Sequence, residues 1–151
     1  MADKTAKIID ELKIAYRMEL ETVMNYIANS INLDGVRAES IKAALAADIQ
    51  AELGHAQQLG KRIKTIGGQA PGSLAMKWDQ AALQPPDDST DLVTVIKGVI
   101  AAEEAACAHY RKLIELCDGD DYVTQDLCIT LMGDEEEHRR EFKGFLTEYT
   151  R

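Results

Sequence analysis

The chain has 151 residues, with 17 basic and 26 acidic side chains and a net charge of −9. That length fits one domain over residues 1–151 with a real buried core. The acid excess argues against nucleic acid and anionic membrane as partners and favours cations, and no apolar run approaches the roughly 18 residues of a membrane span. The N-terminal Met-Ala-Asp-Lys-Thr-Ala-Lys enters an amphipathic pattern without a signal segment, which reads as a cytoplasmic protein. Cys107, Cys117 and Cys128 stand 10 and 11 residues apart, without the C-x-x-C pairs of zinc or rubredoxin-type sites, and read as reduced, packed thiols.

From about Thr5 to Ile31 there is no Gly or Pro, and Leu12, Tyr16, Glu19, Val23, Tyr26 and Ser30 recur at three- and four-residue steps. This spacing predicts a long helix whose inward stripe is broken by one acid, Glu19. Asn32, Asp34 and Gly35 then supply a stop and a tight turn. The second predicted helix runs from about Val36 to Ile66, with Ile41, Leu45, Asp48, Glu52, His55, Leu59 and Ile63 inward and Gly67-Gly68 at its end. Gly54 in its middle costs about 1 kcal/mol relative to Ala and reads as a close approach or as tolerated slack.

Residues 67–90 form a Gly- and Pro-bearing connection, long enough at about 3.3 Å per residue to traverse a bundle end to end. Its Met76, Trp78 and Leu83 are expected to pack along the outside. Ser89, Thr90 and Asp91 are cap candidates for a third helix to Cys117, with Ile96, Ile100, Glu103, Cys107, Tyr110 and Ile114 inward. The short turn Asp118 to Asp121 implies an antiparallel neighbour, a fourth helix from about Tyr122 to Tyr149. It turns Cys128, Leu131, Glu135, His138, Phe142 and Phe145 inward. The fold class is all-α: an antiparallel four-helix bundle with a long crossover between helices two and three.

Two of the three histidines follow a glutamate by three positions, at Glu52-x-x-His55 and Glu135-x-x-His138. Residues i and i+3 share a helix face, so one ion can take both side chains. The segments form matching halves, since Glu19 precedes Tyr26 by seven and Glu52 by 33, while Glu103 precedes Tyr110 by seven and Glu135 by 32. Each acid alone reads as the edge of a stripe reaching water. Four at one height point to a shared site at Glu19, Glu52, His55, Glu103, Glu135 and His138. Four carboxylates buried together cannot all stay ionised without cations, because desolvation costs several kcal/mol per ion and like charges raise one another's pKa. Two divalent metals resolve the conflict, and an oxygen-rich set with two imidazoles suits iron or manganese. Glu52 and Glu135 would bridge, Glu19 and His55 would complete one metal, and Glu103 and His138 the other.

A glutamate from each of two helices with Glu-x-x-His from each of the others is an arrangement of ferritin-like dimetal proteins. At Met-Glu-Leu-Glu-Thr-Val-Met-Asn-Tyr, Ala-Glu-Leu-Gly-His-Ala and Gly-Asp-Glu-Glu-Glu-His the chain resembles bacterioferritin and its smaller ferritin-like relatives. The resemblance spans all four helices. It implies Fe(II) oxidation by O₂ or hydrogen peroxide at a di-iron centre, in iron storage or detoxification, with Glu52, Glu135, Tyr26 and Tyr110 as the catalytic group. Tyr26 and Tyr110 read either as core tyrosines or as partners of ligating carboxylates and sources of an electron.

Departures from the family pattern matter. Leu53 stands where bacterioferritin has its haem-ligating methionine, so no haem is expected. Only 13 residues follow His138, which favours a homo-oligomeric dimer or twelve-subunit shell over a 24-subunit cage. Ala106 occupies the place of the extra glutamate of rubrerythrin peroxidases. Asp134 reads as a partner for a ligating histidine, while Ala51 holds the equivalent place before Glu52, making the two sites unequal. Asp48 reads as a route for iron or as a solvated edge, His109 as surface or packing, and Glu136 and Glu137 as a solvated face. A Cys107–Cys128 disulfide near the metals, as in some mini-ferritins, is a minor expectation. Two other classes stay open: a stand-alone dimetal peroxidase or manganese catalase, and a ferritin-like structural module without turnover.

Overall fold

The structure, a computed structural model, describes residues 2–150; Met1 and Arg151, the ends of the expected domain, lie outside the described residues. Four long helices dominate: α1 (Ala2–Asn32), α2 (Ala38–Thr65), α3 (Leu92–Cys117) and α4 (Tyr122–Thr147). The crossover between α2 and α3 carries two short 3-10 turns, Ser73–Ala75 and Ala81–Leu83, and there is no strand among the described residues. No described helix is long and apolar enough to cross a membrane.

The helix ends follow local chemistry. Gly35, Gly67 and Gly119 take φ of 100°, 99° and 75° at the turns, a region that a Cβ makes costly. Asp91 and Asp121 cap α3 and α4 by one device, each carboxylate accepting the backbone N–H three residues on, from Thr94 at 3.1 Å and Thr124 at 3.0 Å.

Tyr110 faces Glu19 while Tyr26 faces Glu103, so α1 and α3 run antiparallel. The pairs His55–Asp134 and Asp48–His138 show the same for α2 and α4. Helices α1 and α2 pair closely, as do α3 and α4, whereas α2 meets α4 only sparsely. The apolar core is split into two layers. One holds Tyr26, Leu45, Ile96 and Phe142, the other Leu12, Leu59, Leu113 and Leu131, and the mid-bundle acids lie between them.

All seven inward positions expected on α2 are buried. On α1 the expectation needs correction. Leu12, Glu19 and Tyr26 are buried, but Ala15, Thr22 and Asn29 fill the steps between them, and Tyr16, Val23 and Ser30 are only half-buried. Polar residues can take those places because the crossover supplies partners. Thr22 accepts a hydrogen bond from Gln80 at 2.8 Å, and Asn29 donates to the Leu83 carbonyl at 2.9 Å. The crossover is therefore not merely laid on the outside. Trp78 is exposed and Met76 half-buried, but Leu83 is fully buried in the core. Gly98 on α3 makes this approach possible, since a Cβ there would stand 2.4 Å from the Ala82 carbonyl oxygen. Gly54 meets nothing within 4 Å, so it is slack and not a contact point.

Candidate metal centre

The two short interhelical turns and the crossover set the helices in register so that all six expected residues meet between the apolar layers. Two overlapping groups result: Glu19, Glu52, His55 and Glu135, and Glu52, Glu103, Glu135 and His138, with donor atoms in each within 4.8 Å of one another. Glu52 and Glu135 belong to both. Five of the six are buried, and His138 is half-buried at the α2/α4 groove.

The imidazoles present Nδ1 to the acids. Nδ1 of His55 lies 2.7 Å from Glu135 Oε1, 3.4 Å from Glu19 Oε2 and 3.8 Å from Glu52 Oε2. Nδ1 of His138 lies 2.9 Å from Glu52 Oε1, 3.5 Å from Glu135 Oε2 and 3.9 Å from Glu103 Oε1. The rings are nearly parallel, 16° apart, with centroids separated by 6.4 Å. Each histidine thus touches acids of both halves.

Charge is the difficulty of this arrangement. Burial first, and then neighbouring carboxylates, push Glu52 and Glu103 well above their ordinary 4.5, and burial with the Glu135 charge raises Glu19. Burial opposes a charged His55, but its hydrogen bond to Glu135 and the nearby Glu19 carboxylate prevail and push it up to about 10. Burial also opposes an ionised Glu135, yet contacts with Glu103, His138 and His55 hold it well below the carboxylate range. The site thus tends to collect protons. Even so, Glu19 Oε2, Glu103 Oε2 and Glu135 Oε2 are buried without a hydrogen-bond partner. Orphaned oxygens converging from three helices, beside two imidazoles, fit a pair of divalent cations.

The surrounding residues cross between halves. Tyr26 donates to Glu103 Oε1 at 2.5 Å and Tyr110 to Glu19 Oε1 at 2.6 Å. Burial and the facing carboxylate raise both phenols well above 10.0, so they are donors at neutral pH. Asp134 Oδ2 stands 2.9 Å from His55 Nε2, and Asp48 Oδ1 stands 3.5 Å from His138 Nε2. The absence of an acid at Ala51 is thus made up from a different position, one turn before Glu52. The two backing acids differ in setting, Asp134 being 54% exposed and Asp48 11%.

The remaining candidates lie elsewhere. Nε2 of half-buried His109 is 2.8 Å from the Glu11 carbonyl oxygen and 3.6 Å from Glu11 Oε2, outside both donor groups. Glu136 and Glu137 are exposed and paired with Arg139 and Arg140. Cys107, Cys117 and Cys128 are buried free thiols, so the minor expectation of a Cys107–Cys128 bridge is not met.

Residues 9–151 match the ferritin family, described as a Ferritin-like domain, and the chain belongs to that family. Bacterioferritin of Desulfovibrio desulfuricans is 24% identical over 137 residues, 90% of this chain and 72% of that protein. Among solved structures, a dodecameric thioferritin, the bacterioferritin-related protein of Bacteroides fragilis, has a TM-score of 0.86 at 21% identity, over 97% of this chain and 88% of that one. The structure of Desulfovibrio desulfuricans bacterioferritin, with its diiron site, gives 0.82 at 22% identity, over 98% and 82%.

Proposed function

We propose that the protein is a di-iron ferroxidase-type oxidoreductase that oxidises Fe(II) with O₂ or hydrogen peroxide, for iron storage or detoxification. The observation that supports this most is the pair of donor groups sharing Glu52 and Glu135. In this reading Glu19 and His55 would hold one ion, Glu103 and His138 the other, and Glu52 and Glu135 would be shared by both. Iron suits the oxygen-rich donor set, and manganese would also fit it. Bound iron supplies the electrons that reduce the oxidant.

The chain's residues prepare that chemistry. Glu19, Glu52 and Glu103, which favour their protonated forms without metal, would exchange those protons for the charge of bound cations. Tyr26 and Tyr110 hold the two non-bridging carboxylates in place from across the bundle. Asp134 accepts the Nε2–H of His55, so that Nδ1 would turn its lone pair to an ion once the proton it shares with Glu135 is displaced. The apolar layers above and below keep bulk water away.

Assembly and cofactor content belong to the same proposal. Met24, Ile27 and Ile31 follow one another at three and four residues along α1 and are 47%, 42% and 72% exposed. An apolar stripe of this kind marks an interface, and it supports a homo-oligomer, a dimer or twelve-subunit shell. Leu53 offers no thioether to a haem iron, and the reading includes no haem. A cytoplasmic location accords with free thiols at all three cysteines.

Anaerobic titration with Fe²⁺, followed by O₂ or peroxide, tests the proposal. Saturation near two irons per chain, with rapid oxidant consumption that Glu135→Ala loses, is the expected result. Absence of any metal-dependent oxidant consumption would reject it.

A further inference from the structure

Where the crossover leaves α2 it passes over α1 and encloses a cavity of about 460 Å³, lined by Lys13, Arg17 and Lys77 and, among the described residues, by no acid. A second depression, on α4, also gathers three cations, but each is answered: Arg139 by Glu136, Arg140 by Glu137 and Lys143 by Glu104. The crossover cavity has no such balance, although the chain carries a net charge of −9. Among the described residues Lys13 and Lys77 enter no ion pair. Half-buried Arg17 is held in place through Nη1 alone, which donates to Asp79 Oδ1 at 2.7 Å and to Glu21 Oε1 at 3.3 Å. Its Nε and Nη2 donate to no described protein group. Ile14, Pro71 and Met76 add apolar wall. The covering segment is fastened at both ends, by the Gly68 N–H on the Ile63 carbonyl at 2.8 Å and by the Asp79 and Gln80 N–H groups on Glu21. The cavity is therefore preformed.

Three positive charges on one concave surface repel one another, and a dianion relieves this better than a single carboxylate does. A guanidinium with two unused N–H edges and two ammonium point charges suit phosphate oxygens. The apolar walls suit a carbon skeleton, and the volume falls within the roughly 300–1,000 Å³ of small-molecule sites. We propose that this cavity binds an organic phosphate monoester, with the phosphate against Lys13, Arg17 and Lys77 and the apolar part against Ile14, Pro71 and Met76. Arg17 lies two residues from Glu19, about 200° round the helix, so the cavity faces away from the mid-bundle acids. Binding there does not depend on the ferroxidase reading.

Calorimetric titration with phenyl phosphate and, separately, with inorganic phosphate tests the site, using wild type, the double variant Lys13→Gln/Lys77→Gln, and Glu135→Ala, with no iron added. Neither lysine has an acidic partner and glutamine keeps much of the chain length, so the double variant should melt as wild type does. One phenyl phosphate per chain is expected, bound at least about tenfold more weakly by the double variant and more weakly in higher salt. Glu135→Ala should bind it as wild type does, and inorganic phosphate should bind less tightly than phenyl phosphate. No saturable binding, or equal affinity in wild type and the double variant, would overturn the site. Binding lost in Glu135→Ala but kept in the double variant would place the anion at the metal centre and overturn it too. Equal, lysine-dependent affinity for both probes would overturn the organic class of ligand.

Discussion

Glu19 and Glu21 stand two residues apart on α1 and are almost equally buried, at 2% and 3% exposure, yet their surroundings are opposite. Both Glu21 oxygens are satisfied. Oε1 accepts from the Asp79 backbone N–H at 3.1 Å and from Arg17 at 3.3 Å, and Oε2 accepts from the Gln80 N–H at 2.7 Å. Glu19 takes one hydrogen bond, from Tyr110, while its Oε2 has none and faces the other acids. A buried carboxylate does not by itself mark a metal ligand. What separates the two is incomplete hydrogen bonding among like charges: Glu21 fastens the crossover, and Glu19 keeps an unpartnered oxygen among other acids.

The comparison can be broken most severely at Glu135, which is common to both donor groups. Replacing it with alanine should abolish both paired ions and lower oxidation by more than the roughly 10–100-fold typical of losing an outer partner. Stopped-flow iron oxidation measures this. Retention of two irons per chain would mean that Glu135 is not shared.

Glu21→Ala should do the reverse. It leaves the Asp79 and Gln80 N–H groups and Arg17 without their acceptor, at a cost of about 2–5 kcal/mol. The thermal unfolding midpoint should fall by roughly 4–20 °C, at about 2–4 °C per kcal/mol for a chain of this size. Iron stoichiometry should stay at the wild-type value. Unchanged stability with lost iron binding would erase the distinction between Glu19 and Glu21.

Asp134→Ala should weaken one ion about 10–100-fold, because His55 loses the acceptor at Nε2 that orients Nδ1. A calorimetric titration should then split into two phases. A single uniform phase would show that Asp134 does not support the centre.

The smallest effect concerns pH. Glu19, Glu52 and Glu103 have folded pKa values raised above 4.5, so between 4.5 and those values the folded state holds protons that the unfolded chain has lost. Metal-free stability therefore falls as pH rises from about 4.5. His55, raised from 6.5 to about 10, adds stability that is complete below 6.5 and disappears as pH climbs toward 10, the same sign. The depressed Glu135 acts oppositely, but only below 4.5. Melting curves of chelator-treated protein at several pH values should decline across this range, and saturating Mn²⁺ should flatten the decline. A metal-free protein that gains stability with rising pH would contradict this electrostatic picture.

The sequence was most readable where one helix both packs and carries chemistry. On α2 the buried positions from Ile41 to Ile63 keep one unbroken phase, so Asp48, Glu52 and His55 could be placed by counting. The halves repeat closely enough that Glu19 and Glu103 could be matched to the two Glu-x-x-His pairs. On α1 the phase was harder to see, because Thr22 and Asn29 face inward while apolar Met24, Ile27 and Ile31 face out. Hydrophobicity alone favoured Val23, since the partners of the polar residues come from Gln80 and Leu83, more than fifty residues away. Gly98 carried no local signal for the same reason: the Ala82 carbonyl that requires it belongs to the crossover. Position 48 could be phased from sequence, but its pairing with His138 depends on how α2 and α4 face each other.

Anomalous diffraction from crystals soaked anaerobically in Fe²⁺ tests the central claim most directly. Two peaks roughly 3.5–4 Å apart, one among Glu19, Glu52, His55 and Glu135 and the other among Glu52, Glu103, Glu135 and His138, are the expected result. Iron found only on the acidic surface, with the mid-bundle level empty, would contradict it.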